Sequence, residues 1–111
     1  MPLVFFDPGQ MTARLELQRP VSSPDGQGGA AVSFETVASL WARIEPMGHT
    51  LTEEASQRGV MLTHRIWIAH RSAMEAGMRF MKGVRVFAIR AVHDPDETRR
   101  YLVCHCEEEG T

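Results

Sequence analysis

Polar and apolar residues alternate along most of this chain with a period of two, the signature of strands that bury one face. Arg14, Glu16 and Gln18 alternate with Leu15 and Leu17, and Pro20 is expected to end that strand. Residues 22–29 (SSPDGQGG) gather turn formers and glycines between two strand-like runs, which predicts a hairpin connection of more than minimal length. Ala31 to Glu45 reads as one long strand: Val32 shares a face with Phe34 and Val37 with Trp41, while Ala38, Leu40, Ala42 and Ile44 form the alternate set. The apolar phase shifts between Glu35 and Val37, which predicts a bulge or bend. Pro46 and Gly48 close the element.

Thr50-Leu51-Thr52-Glu53 fits a capping box, and Glu54 to Arg58 would continue it into a short helix stopped by Gly59. A helix of about two to three turns does not stand alone in water, so it must dock on the sheet or on a partner. Thr63 to His70 is a third strand, with Ile66 and Ile68 on one face and Trp67 on the other. Ala76-Gly77-Met78 introduces a short segment to Met81, and Lys82-Gly83 turns the chain into Val84 to Val92, a central strand apolar on both faces. Asp94-Pro95-Asp96-Glu97 is a turn, and Tyr101 to Cys106 is the last strand. The fold expected is mainly β: a small β-barrel of five to six mostly antiparallel strands with one short inserted helix. Its parts would be an N-terminal extension over 1–12, a barrel over 13–107 and an inserted loop or helix over 47–61.

The 111 residues suffice for one core and not for two. A hydrophobic share of 43% and a charged share of 23% match ordinary globular usage, so disorder and fibrous classes are disfavoured. A net charge of -2 provides no global positive field for a phosphate backbone, which argues against a dedicated nucleic-acid binder. The opening stretch, with Leu3, Val4, Phe5 and Phe6, lacks the basic flank, long apolar run and cleavage site of a secretion signal. No apolar run approaches the roughly 20 residues of a membrane helix, so no membrane partner is expected and the cytoplasm is the expected site of synthesis.

Candidate chemistry is sparse. Cys104-His105-Cys106 offers metal-binding side chains, but on a strand His105 points away from both thiols. Both cysteines are therefore read as core residues beside Leu102, and a disulfide between them would be strained. A cysteine nucleophile paired with a histidine would need an oxyanion loop that neither cysteine has around it. Asp94, Asp96 and Glu97 lack the spacing of a calcium loop and read as a solvated hairpin with Arg99 and Arg100 as counter-charges. Gly26 to Gly29 lacks the Lys-Ser/Thr ending and following helix of a phosphate cradle. Phe34, Phe87 and Trp67 are read as core rather than base-stacking residues. No catalytic residue, metal or cofactor is expected, and the alternative class is a small metal- or nucleic-acid-binding β-barrel.

Three stretches carry a family resemblance: residues 12–20 (TARLELQRP), the glycine-rich turn, and residues 34–46 (FETVASLWARIEP). Residues 63–66 (THRI), 77–80 (GMRF) and 86–92 (VFAIRAV) followed by Asp94 continue it in the same order. Together, over about residues 12 to 107, the chain resembles the phage head-tail joining family, also called head-closure, stopper or adaptor proteins, which occurs in gene transfer agents as well. The resemblance implies a structural, non-enzymatic connector. It would form a homo-oligomeric ring between a portal or adaptor ring on the head side and a tail terminator or tail tube on the other, in a virion or phage-like particle assembled in the bacterial cytoplasm. DNA would pass through the channel without sequence-specific binding.

On that basis two segments become candidates for partner- or channel-facing positions. Phe5 and Phe6 belong to an apolar N-terminal segment too isolated to form its own core, which would pack on a neighbouring ring or subunit. Thr52, Glu53, Glu54, Gln57 and Arg58 belong to the insertion, which would face the channel or cover one open side of the barrel.

Overall fold

The protein is represented by a computed structural model that describes residues 6–48 and 61–110. Among the described residues six strands carry the fold: β1 Ala13–Pro24, β2 Ala30–Pro46, β3 His64–Ala69, β4 Arg79–Lys82, β5 Arg85–His93 and β6 Tyr101–Glu109. All pairings are antiparallel, and the order β1-β2-β3-β6-β5-β4 closes on itself into a barrel. The closing seam is short, running from Glu16↔Met81 to Gln18↔Arg79. The helix expected around residues 50–58 lies outside the described residues.

Alternation decides which side chains fill the barrel. Leu15 and Leu17 of β1, Ala42 of β2, Ile66 and Ile68 of β3, Phe80 of β4, Phe87 and Ile89 of β5, and Leu102, Cys104 and Cys106 of β6 form one buried cluster. The two thiols are thus core groups, as their spacing implies, while His105 between them faces outward and stacks on His93 at 5.1 Å between ring centroids.

The bulge expected between Glu35 and Val37 is present. Leu17 pairs with Ala38 and Gln18 with Thr36, so Val37 has no partner opposite. A bulge adds twist and bends the strand, and here it marks where the β1–β2 hairpin leaves the barrel. Beyond it, residues 19–24 and 30–36 form a two-stranded arm, and the molecule measures 52 × 32 × 27 Å.

Three local readings need correction. Pro20 does not end β1, which continues to Pro24. The Asp25 N–H donates to the Gly29 carbonyl at 3.3 Å, and bonded pairs alternate along an antiparallel ladder. Ser23, Val21 and Arg19 therefore bond towards β2, while Pro24, Ser22 and Pro20 face away, where a missing N–H costs the ladder nothing. Phe34 and Trp67 are not core residues: Phe34 sits half-buried on the arm, and Trp67 lies on the outer barrel wall. Val84 does not begin β5 but sits in the β4–β5 turn with 96% of its surface exposed.

The acidic turn is also more built than a solvated hairpin. Asp96 is 6% exposed, accepts from the Thr98 amide and hydroxyl and pairs with Arg100 at 2.8 Å. Asp94 accepts from the Asp96 and Arg99 amides. These carboxylates satisfy a main chain that passes through left-handed conformations at Glu97 and Arg99, and so stitch β5 to β6.

Candidate functional site

Among the described residues no three His, Cys, Asp or Glu side chains converge into a set able to hold a metal ion. Burial pushes the Cys104 thiol up to about 12 and the Cys106 thiol higher still, with the neighbouring Cys104 adding to the latter effect. A thiol so resistant to ionisation is no nucleophile near neutral pH. What the barrel presents is surfaces.

One surface is a polar plug at a barrel end. Arg85 donates to both carboxylate oxygens of Glu108, Nε to Oε2 at 2.8 Å and Nη2 to Oε1 at 3.0 Å. That fork holds the Glu108 carboxyl below its usual range. His64 reaches the same carboxylate at 4.0 Å, yet burial, aided by the Arg85 charge, pulls its pKa down and outweighs the attraction to Glu108. Its ring serves as an edge-on cover for Phe87, with ring centroids 5.1 Å apart. The Thr63 hydroxyl accepts from the Glu108 amide at 2.7 Å, and the Met47 amide donates to the Thr63 carbonyl at 2.9 Å. The β2–β3 connection therefore leaves and re-enters the barrel at one point beside this plug. Thr52, Glu53, Glu54, Gln57 and Arg58 belong to that connection but lie outside the described residues.

A second surface is the outer wall around Trp67. Phe5 lies outside the described residues, whereas Phe6 is 9% exposed and stacks on Trp67 of its own chain, with centroids 4.7 Å apart and planes 4° from parallel. Tyr101 meets Phe6 edge-on at 4.9 Å. Asp7 then caps a short 3-10 turn, Pro8–Gln10, by accepting from the Gly9 amide at 2.9 Å. The chain entry is thus clamped to β3 and β6 before β1 begins.

The third surface is the arm, which the alternation pattern alone did not reveal as projecting. Arg79 of β4 straps its base: its guanidinium lies 3.7 Å from the Phe34 ring centroid, and Nε donates to Gln18 Oε1 at 2.7 Å. Gln18 passes the connection on to the Thr36 hydroxyl at 3.2 Å, and Arg19 pairs with Glu35 across the two strands. The signal available in the sequence was the bulge; that β4 supplies the strap depends on barrel closure.

The chain matches the family described as phage head completion protein over residues 6–109. Among solved structures it is similar to a chain of the virion of a native gene transfer agent particle, with 24% identity, a TM-score of 0.64, and 90% of this chain and 94% of that chain covered. It is also similar to the solution structure of a protein from Shigella flexneri 2a, with 26% identity, a TM-score of 0.68, and coverage of 95% and 98%. No curated protein matches it.

Proposed function

Because this chain belongs to the phage head completion protein family, we propose that it forms a ring at the head–tail junction that seals the DNA-filled head and docks the tail. Membership makes it a structural component of a phage or phage-like particle, not an enzyme, and gives it other virion components as neighbours. The observation that carries the reading is the extent of the match, which takes in every strand of the closed barrel. The fold shared with a chain of a gene transfer agent virion supports the same assignment. In the ring, the head side meets a portal or adaptor ring and the tail side a terminator or tube.

Within that ring, the connection over residues 47–61 is the part that faces the channel. Its support is the single exit point at Met47 and Thr63, which holds both ends at the plugged end of the barrel. Glu53 and Glu54 there would repel passing phosphates, suiting a conduit that does not grip its cargo. Replacing both with lysine is expected to slow DNA release from assembled particles; unaltered release kinetics would place them on the outside.

The ring itself is tested by electron microscopy of the purified protein, alone and mixed with portal complexes, together with particles made without it. Annular density under the portal and tail-less heads that leak DNA are expected. Tailed, DNA-retaining particles in its absence would overturn the assignment.

A further inference from the structure

Ala42, opposite Ile68, is the first residue of β2 to pair with β3, so the part of β2 that precedes it has an open edge on that side among the described residues. β3 stops at Ala69, and the next amide, that of His70, donates instead to the Arg100 carbonyl just before β6 at 3.0 Å. Where the two strands part, a mainly apolar recess remains, lined by Met11, Leu40, Ile68, Ala69 and Arg71 together with Trp41, which is 54% exposed. The incoming chain at Pro8, Met11 and Thr12 encloses a second hollow against the same indole. The two measure about 320 and 450 Å³, within the roughly 300–1,000 Å³ of ligand pockets.

Charge sets this face apart as well. Six arginines of the described residues pair with a carboxylate: Arg19, Arg43, Arg65, Arg85, Arg90 and Arg100. Arg14 and Arg71 pair with none among the described residues, and both stand beside Trp41 or its recess. Arg14 is exposed; its Nε donates to the Ser39 hydroxyl at 2.9 Å, which holds the guanidinium 5.1 Å from the Trp41 ring centroid. No Asp or Glu lines either hollow. An unpaired cation over an exposed indole, next to an apolar recess, is complementary to a carboxylate carried beside an apolar side chain. Tryptophan and arginine are also the side chains that most often dominate protein–protein contacts. Duplex DNA fits less well: a chain of net charge -2 has no general field for phosphates, and a duplex presents little apolar matter to fill the hollows.

We propose that this face is a docking site for a short acidic segment of another protein. One of its apolar side chains enters the recess beside Trp41, and a neighbouring carboxylate meets the Arg14 guanidinium. Arg71 contributes its positive charge from the wall and no hydrogen bond from Nε, which is shut off from solvent. The site is complete within one chain, so it does not depend on the ring.

The test reads an array of random blocked dodecapeptides with labelled full-length protein. Retained peptides are expected to be enriched in Asp and Glu together with Leu, Met or Phe. The best of them, free in solution, should lose at least about tenfold in affinity on Trp41→Ala and weaken severalfold as salt rises from roughly 0.05 to 0.5 M. Arg14→Glu keeps the apolar recess and reverses the charge beside it, so the same array should now favour Lys and Arg. Neither side chain belongs to the buried cluster, and each variant should melt within a few degrees of the wild type; Arg14→Glu carries the decision alone should Trp41→Ala melt early. Retained peptides without an acidic bias, a preference unchanged by Arg14→Glu, or an array that retains nothing would overturn the proposal. A short labelled DNA duplex that displaces the peptide would overturn it in favour of nucleic acid. Self-association of the wild type that Trp41→Ala abolishes, with no peptide retained, would overturn it and make a second copy the occupant.

Discussion

The ring of Phe6 lies flat against the indole of Trp67, 4.7 Å between centroids and 4° from parallel, and so ties the entry of the chain to the third strand of the barrel. Stacked aromatic pairs contribute about 0.5–1.5 kcal/mol beyond their buried area. Phe6→Ala is therefore expected to destabilise the fold by about 2 kcal/mol, with red-shifted tryptophan emission as water reaches Trp67. Removing residues 1–5, which spares Phe6, should leave the melting temperature within a degree or two. A truncation as destabilising as Phe6→Ala would show that the anchor lies upstream.

Arg79 links β4 to the arm through Phe34 and Gln18. An exposed cation–π contact is worth about 0.5–1 kcal/mol, so Arg79→Ala should lower global stability by about 1 kcal/mol at most. Its larger effect is local: amide exchange over residues 19–23 and 31–36 should accelerate while β3 and β6 stay protected. Uniform acceleration across the barrel would mean that Arg79 supports the core and not the arm.

The buried thiols offer a direct check of the core. Cys104 and Cys106 should be silent to a water-soluble disulfide reagent at pH 8 in the native state, and both should react once the chain is unfolded, because burial raises the pKa of each. Rapid labelling of folded protein would place β6 in another register. Cys106→Ser is expected to cost more than Cys106→Ala, by about 1 kcal/mol, since it puts a hydroxyl into the apolar core, where the Cys104 carbonyl lies 3.5 Å from the present sulfur.

The pH dependence follows from His64 and His105. Both have lowered pKa values, His64 chiefly through burial, and His105 through burial followed by the charges of His93 and Arg65. Below the ordinary histidine value of about 6.5 the unfolded chain binds more protons than the folded one, so stability rises with pH there and is complete above it. The depressed Glu108 carboxyl acts in the same sense at lower pH: its contribution holds above the ordinary carboxylate range and is lost as it protonates. The melting temperature should be level from pH 8 to 7 and fall steadily from about 6.5 to 5. His105→Gln should flatten part of that slope; an unchanged slope would remove His105 from the account.

Much of the barrel was legible because a two-residue period names its inward face without reference to neighbours. Leu15 with Leu17, Ile66 with Ile68, and Cys104 with Cys106 could be paired off as core from spacing alone, and the phase slip near Val37 announced the bulge. Composition excluded a global positive field, and no stretch of sequence assembled catalytic equipment. The ordered run of family-like segments by itself points to a phage structural protein of the head–tail region. Spacing says nothing, however, about what lies across the sheet. Pro20 looked like a terminator because its partner strand was unknown; the ladder placed its missing N–H outward, where it guards an edge. Phe34 and Trp67 looked like core residues because both are large and sit in strands. Barrel closure turned Trp67 to the outer wall under Phe6, and carried Phe34 past the bulge under Arg79, a residue 45 positions further along the chain. The sequence determined the strands and their buried faces, which are local properties of alternation. The tertiary structure alone decided that one hairpin overshoots the barrel and leaves an open edge, because that depends on where the neighbouring strands stop.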